Sequence, residues 1–256
     1  MHDAERPLAE RVRQLATGRH LVVLLDFDGT LAEFQADPEQ VELSLSRRTI
    51  LWGLQQRATV GIVSGRRLDD VRDRCGLEGI VVAGLHGLEI EGLGVRFVHP
   101  DLDAASSAVT AVASTLRTVT RGTAGVFVED KGASVALHFR EADADGQRYA
   151  IEAFAAAAGA YIDSGQLRVM RGSYVLELLP NIAWNKGDAV RWIVERVRER
   201  EGDVFVVYVG DDVTDQDAFA AVEADGLPIA ASDRVSANTR LDGPAAVERF
   251  LAALIR

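Results

Sequence analysis

The chain has 256 residues, a formal net charge of −11 at pH 7 and 48% hydrophobic residues. That apolar content is enough to build a core and excludes a disordered chain. The acidic balance argues against a general nucleic-acid binder, which would neutralise phosphates with Lys and Arg. The length suits one large domain or two modest ones. The single cysteine, Cys75, rules out an intrachain disulfide and fits a reducing compartment. It is expected as a small half-buried helix residue. Residues 1–19 are charged throughout and hold no signal-peptide core, and no apolar run is long enough to span a membrane. A cytoplasmic protein with no nucleic-acid or membrane partner is therefore expected; a monomer is the default, since the sequence does not encode oligomeric state.

Residues 21–25 form a continuous apolar run that stops abruptly at Asp26-Phe27-Asp28-Gly29-Thr30. A run polar on neither face predicts a strand buried on both sides, as in a parallel sheet. A helix over 44–57, a strand over 59–63 stopped by Ser64-Gly65, a helix over 68–75 and a strand over 80–83 follow. Strands alternating with helices are the rhythm of a doubly wound α/β sheet. The middle of the chain differs. A helix over 104–119 precedes strands over 126–129 and 134–139, which turn around Lys131-Gly132. An Ala-rich helix over 147–160 precedes strands over 167–170 and 174–178, which turn at Arg171-Gly172. Such strand pairs interleaved with helices predict an α+β insert over 98–180, a plausible size for a small domain. The α/β rhythm then resumes with a helix over 186–200, a strand over 204–209, a helix over 215–222, a strand over 227–230 and a helix over 244–254, with Pro244 at its start. The core is thus expected to comprise 1–97 and 181–256.

Asp26 and Asp28 lie one residue apart, just past the carboxyl end of a buried strand, the edge at which open α/β sheets bind ligands. In an extended segment their side chains point the same way, and two such carboxylates can divide labour between attack and proton transfer. Gly29 permits a tight turn that brings backbone N–H groups to an anion. An isolated pair of this kind is more often an Asp-rich turn. A calcium loop fits poorly, because its glycine falls at position six and this one falls at position four. A second cluster, Gly210-Asp211-Asp212-Val213-Thr214-Asp215, also follows an apolar run. Clustered carboxylates raise each other's pKa unless a cation sits among them, and Mg²⁺ suits hard oxygen ligands. A metal role is expected for Asp211, whereas Asp215 serves equally well as a helix cap. Ser64 ends another strand, where its hydroxyl and the following N–H groups can hold a phosphate oxygen. Lys186 opens a helix at the end the dipole reserves for anions, as expected if it neutralises a bound one. Taken singly, these residues read as a cap serine and a surface lysine. The weight lies in the four segments together.

These segments resemble the four motifs of the haloacid-dehalogenase superfamily of phosphohydrolases: Asp26-Phe27-Asp28-Gly29-Thr30-Leu31, Ser64-Gly65-Arg66, Lys186-Gly187, and Gly210-Asp211-Asp212 with Thr214-Asp215. Within it the chain looks like the trehalose-6-phosphate phosphatase family. The narrower resemblance rests on Gly84-Leu85-His86-Gly87-Leu88-Glu89, on Glu129-Asp130-Lys131 with His138-Phe139-Arg140, and on Leu176-Glu177-Leu178. It implies a HAD-like core with an inserted C2-type cap, and an aspartyl-phosphate formed on Asp26. Asp28 would act as acid and then base. Mg²⁺ would be held by Asp26, the Asp28 backbone carbonyl and Asp211. Ser64 and Lys186 would bind the phosphoryl oxygens, with Thr30, Asp212 and Asp215 as supporting groups. Sugar contacts would come from Arg66, His86, Gly87, Glu129, Lys131, Arg140 and Glu177. The implied reaction is hydrolysis of trehalose 6-phosphate. The alternative is another glycosyl or pseudo-disaccharide phosphate, such as glucosylglycerol phosphate. Glu33-Phe34 stand where the family usually carries a proline, and Trp184 precedes the lysine motif; both departures bear on the sugar.

Overall fold

A computed structural model describes residues 5–35, 40–130 and 132–255. The chain runs α1 (Glu5–Leu15), β1 (His20–Leu25), α2 (Leu45–Gln55), β2 (Thr59–Val63), α3 (Leu68–Cys75), β3 (Val81–Gly84), β4 (Glu89–Gly92), β5 (Val95–Val98) and α4 (Leu102–Val119). It continues through β6 (Phe127–Asp130), β7 (Val135–His138), α5 (Ala144–Asp163), β8 (Leu167–Gly172), β9 (Val175–Pro180), α6 (Lys186–Glu201), β10 (Val204–Gly210), α7 (Gln216–Val222), β11 (Gly226–Ala230) and α8 (Gly243–Leu254). Two compact units result: one from the two ends of the chain, through Val98 and again from Trp184, and one spanning His99–Ala183.

The first unit is a seven-stranded sheet in the order β11-β10-β1-β2-β3-β4-β5. From β11 to β3 neighbouring strands are parallel; β4 and β5 continue antiparallel. The apolar runs are explained by burial on both faces. In β1, Val23 and Leu25 enter one core cluster and Val22 and Leu24 the other. In β10, Phe205, Val207 and Val209 alternate with Val204, Val206 and Tyr208 in the same way. Each such side chain contributes about 1.5–3 kcal/mol by leaving water. The chain winds outward from β1 through β2 and β3, then returns to place β10 on the other side of β1. The β1/β10 boundary is therefore a topological switch point, where such sheets form ligand crevices.

Three elements lie outside the sequence expectation. Helix α1 hides its short apolar stripe, Ala9 and Val12, among charges. It packs on α8, and Arg249 holds its Glu5. Strands β4 and β5 bury little beyond Ile90, and they join through Leu93 and Gly94, both at positive φ. That is a tight hairpin geometry, but it lacks the Asn-Gly or Asp-Gly signature that announces one. Cys75 is fully buried, not half-buried, because α3 seats it in the core.

The second unit is a four-stranded antiparallel sheet, β6-β7-β9-β8. Val135, Leu137, Leu176 and Leu178 pack with Val109, Leu116 and Phe154 of α4 and α5. Helix α5 begins three residues earlier than expected because Asp143 caps it, accepting from the Gly146 N–H.

Candidate active site

Leu25 of β1 lies opposite Val209 of β10 and Ile62 of β2. Asp26, Ser64 and Asp211 thus emerge at one edge, from three neighbouring parallel strands. All three are buried, with Asp26 5% and Asp211 1% exposed. Burial, set against few compensating charges, pushes the Asp26 carboxyl well above its ordinary value. Lys186 counters it, and Asp215 and Asp211 add to it. Asp211 is raised as well, again chiefly by burial. Gly29 has φ +83, and a Cβ there would stand 2.4 Å from Asp211 Oδ2. Only glycine lets this turn pass beside the second carboxylate.

Lys186 reaches this point from the first turn of α6. Asn185 caps the helix, accepting from the N–H groups of Gly187 (2.8 Å) and Asp188 (3.1 Å), while Asp188 returns the contact to the Asn185 N–H. With the helix end satisfied, the ammonium is free to donate to Asp26 Oδ1 (2.6 Å) and Asp215 Oδ1 (2.7 Å). Burial alone would lower the Lys186 pKa, but the two carboxylates hold it above the ordinary lysine value. Asp215 also accepts from Tyr208 Oη (2.8 Å) and from the N–H groups of Asp211 and Asp212 (both 2.9 Å). With four donors it orients the lysine and the 210–215 turn, and it has little capacity left for a metal. The exposed Asp212 forms the other half of this turn's capping box. Thr30 Oγ1 donates to Asp211 Oδ1 (3.2 Å).

Arg66 grips the Asp28 carboxylate with two N–H groups (both 2.7 Å) and also reaches Asp70. Its guanidinium pKa is raised, first by the hydrogen bonds to Asp28. Arg66 is thus tied to two carboxylates rather than presented alone to a ligand. Ser64 Oγ accepts from the Arg66 N–H (3.2 Å). Leu85 and His86 both adopt positive φ, a conformation costing about 1–3 kcal/mol each for ordinary residues. Their N–H groups bind the carbonyls of Arg66 and Ser64, which pins this turn to the Ser64 loop. The His86 ring lies against Gly65. Gly87 packs against Ala189 of α6, leaving no room for a side chain.

Asp26, Asp211 and Asp215 each offer an oxygen within 4.8 Å of the others. These hard, buried donors fit Mg²⁺, with Asp26 and Asp211 better placed to serve than the saturated Asp215. In the second unit, Glu129, Ala136, Glu177 and Met170 form one row across the sheet, on the face away from its core. Glu129 pairs with His138 (2.8 Å), whose ring stacks on Phe127, and Glu177 accepts from Ser134 Oγ (2.6 Å). Arg140 is exposed and donates to the Ser173 carbonyl. Lys131 lies outside the described residues.

Residues 24–244 match the family model described as trehalose-phosphatase. This chain belongs to the trehalose-phosphatase family. It is 37% identical over 259 residues to a trehalose-phosphate phosphatase of Mycolicibacterium paratuberculosis, covering 97% of this chain and 65% of that one. It is also 37% identical to an uncharacterised glycosyl hydrolase of Mycobacterium tuberculosis, covering 95% of this chain and 19% of that one. The chain therefore spans only part of these relatives. Among solved structures it is similar to the C-terminal domain of C. albicans trehalose-6-phosphate phosphatase, with TM-score 0.70, 24% identity and coverage of 98% and 96% of the two chains. The C-terminal domain of the Candida albicans trehalose synthase regulatory protein is also similar, with TM-score 0.63, 12% identity and coverage of 97% and 98%. These likenesses give the HAD-like fold. A fold held in common by a phosphatase and a regulatory protein leaves activity to the side chains.

For this member of the trehalose-phosphatase family, two site residues escaped the sequence reading. Tyr208 sits inside an apolar run and looks like core, yet its hydroxyl meets Asp215. Its only sequence signal is that it lies two residues before Gly210. Arg234 follows the last strand in a polar loop, and its guanidinium binds Asp211; no local motif marks it. The two family departures have distinct places. Phe34 is exposed, against Gly29 and over Arg234. Trp184 stacks on Phe97 (5.1 Å between ring centroids), joining the two points at which the chain leaves and re-enters the first unit.

Proposed function

We propose that this chain is a Mg²⁺-dependent phosphatase that hydrolyses trehalose 6-phosphate through an aspartyl-phosphate on Asp26. The observation that carries the reading is the convergence of Asp26 and Asp211 from adjacent parallel strands, with Lys186 donating to the first. Family membership supports the sugar.

In the first step an Asp26 oxygen attacks phosphorus and the bond from phosphorus to the sugar oxygen breaks. Asp28 gives that oxygen a proton, which requires it to leave Arg66. In the second step Asp28 takes a proton from water, whose oxygen attacks phosphorus, and the bond to Asp26 breaks. Lys186 and Ser64 hold phosphoryl oxygens as charge shifts. Asp26, the Asp28 carbonyl and Asp211 would hold Mg²⁺, which when bound neutralises charge on the phosphoryl group. Asp215, Tyr208, Thr30 and Asp212 position these groups. The family resemblance makes Glu129, Arg140 and Glu177 candidates for sugar selection, and His86 likewise. Phe34 and Trp184 favour one second reading, a phosphatase of another glycosyl phosphate such as glucosylglycerol phosphate.

Phosphate release across a panel of sugar phosphates, in Mg²⁺ and in EDTA, tests both. Trehalose 6-phosphate should be the best substrate, with turnover lost in EDTA, restored by Mg²⁺ and absent in Asp26→Asn. Turnover in EDTA, or near-normal rates in Asp26→Asn, would refute the mechanism. Preference for another sugar phosphate would move the assignment to the second reading.

A further inference from the structure

We propose that Arg234 is a resident counter-cation that competes with the divalent ion for Asp211. The inference rests on reading Asp211 as a metal ligand. Arg234 Nη2 donates to Asp211 Oδ2, while Thr30 holds the other oxygen. Two further contacts aim the arginine. Ser232 Oγ accepts from the Arg234 N–H (3.1 Å) and donates to the Asp211 carbonyl, which ties the loop to the end of β10. The guanidinium also lies 5.1 Å from the centre of the Phe34 ring, a cation–π distance.

Lys186 and Arg234 differ in kind. Lys186 is 3% exposed and enclosed by two carboxylates. Arg234 is 47% exposed and touches an Asp211 that is 1% exposed. It is an arm reaching in from solvent, and it can withdraw without opening the core. A dication taking Asp211 must face this guanidinium, and like charges on one carboxylate repel strongly away from bulk water. Withdrawal relieves that repulsion, and the face of Phe34 keeps the guanidinium beside the site. Asp26 and Asp215 share Lys186, and Asp211 pairs with Arg234. Breaking the second pair lowers the apparent affinity for metal.

The test is calorimetric titration of Mg²⁺ into substrate-free protein, paired with thermal melts in EDTA and in saturating Mg²⁺. Arg234→Gln keeps a donor for Asp211 but removes the charge. It should tighten Mg²⁺ binding by at least about threefold, the range of a partly exposed ion pair. It should also lower the melting temperature in EDTA and enlarge the rise that Mg²⁺ produces. Arg234→Lys restores a charge and should bind Mg²⁺ nearly as the parent does. Unchanged or weaker binding in Arg234→Gln overturns the inference and makes Arg234 a clasp for the 232–234 loop or an aid to the metal. Failure of the parent itself to bind Mg²⁺ overturns the metal reading of Asp211, and the inference with it.

Discussion

Lys186→Met removes the ammonium that Asp26 and Asp215 share, at 2.6 and 2.7 Å. Removing one partner from a buried ion pair typically costs about 3–5 kcal/mol, because the remaining charge is left uncompensated. At about 2–4 °C per kcal/mol for a chain of this size, the transition of the unit holding the site should fall by roughly 6–20 °C in EDTA. The loss should depend on pH. Lys186 is held above its ordinary value, so its contribution is complete below about pH 10.5 and fades only as pH rises through the raised value. Asp26 and Asp211 are also raised, and the sign is the same at a lower pH, because there it is the protonated carboxyl that the fold favours. The metal-free fold loses stability as pH climbs from the ordinary 3.8 through the raised values. Without the ammonium, Asp26 should hold its proton to still higher pH, so the deficit of Lys186→Met should be larger at pH 8 than at pH 5. Saturating Mg²⁺ should narrow it by supplying another positive charge. Thermal or urea melts at both pH values, with and without metal, measure each part. A loss under about 1 kcal/mol in EDTA, or equal losses at pH 5 and pH 8, would refute the reasoning.

Two further experiments test single features. Gly29→Ala places a methyl 2.4 Å from Asp211 Oδ2 on a backbone at φ +83. It should lower stability by about 1–3 kcal/mol and cut phosphate release sharply; a variant equal to the parent in both would show that the turn is not constrained. Cys75 is buried, and burial pushes its thiol up to about 12. At pH 8 it should resist Ellman's reagent in the native protein and react fully once denatured. Rapid native labelling would show that α3 opens.

What could be read from sequence depended on how strongly each burial was enforced. Residues 21–25 and 204–209 announced themselves because strands buried on both faces admit almost nothing polar. Two carboxylate clusters at their ends then had to share one sheet edge. Strands β4 and β5 were illegible because they bury one face at most, and their turn uses Leu93 where a glycine or asparagine would have signalled it. The pairing of Asp28 with Arg66, 38 residues away, and of Asp211 with Arg234 joins sites that no local pattern connects. Ion pairs between loops depend on tertiary placement, which composition and period do not encode.

Charge orders the proposed reaction. Among the described residues three buried carboxylates face one buried ammonium, and the Arg234 guanidinium on Asp211 reaches in from solvent. A phosphate monoester arriving with two negative charges would meet a surface still crowded with oxygen anions. Lys186 cannot offset them alone, since Asp26 and Asp215 already divide it. A dication bound at Asp26 and Asp211 would reverse the sign of the field at the point where phosphorus must come. On this reading metal binds before substrate, and phosphate alone should bind poorly to the metal-free protein. Asp215 contributes by holding Lys186 while four donors keep its own charge in check, so that Asp26, the proposed nucleophile, keeps a countercharge without losing its direction.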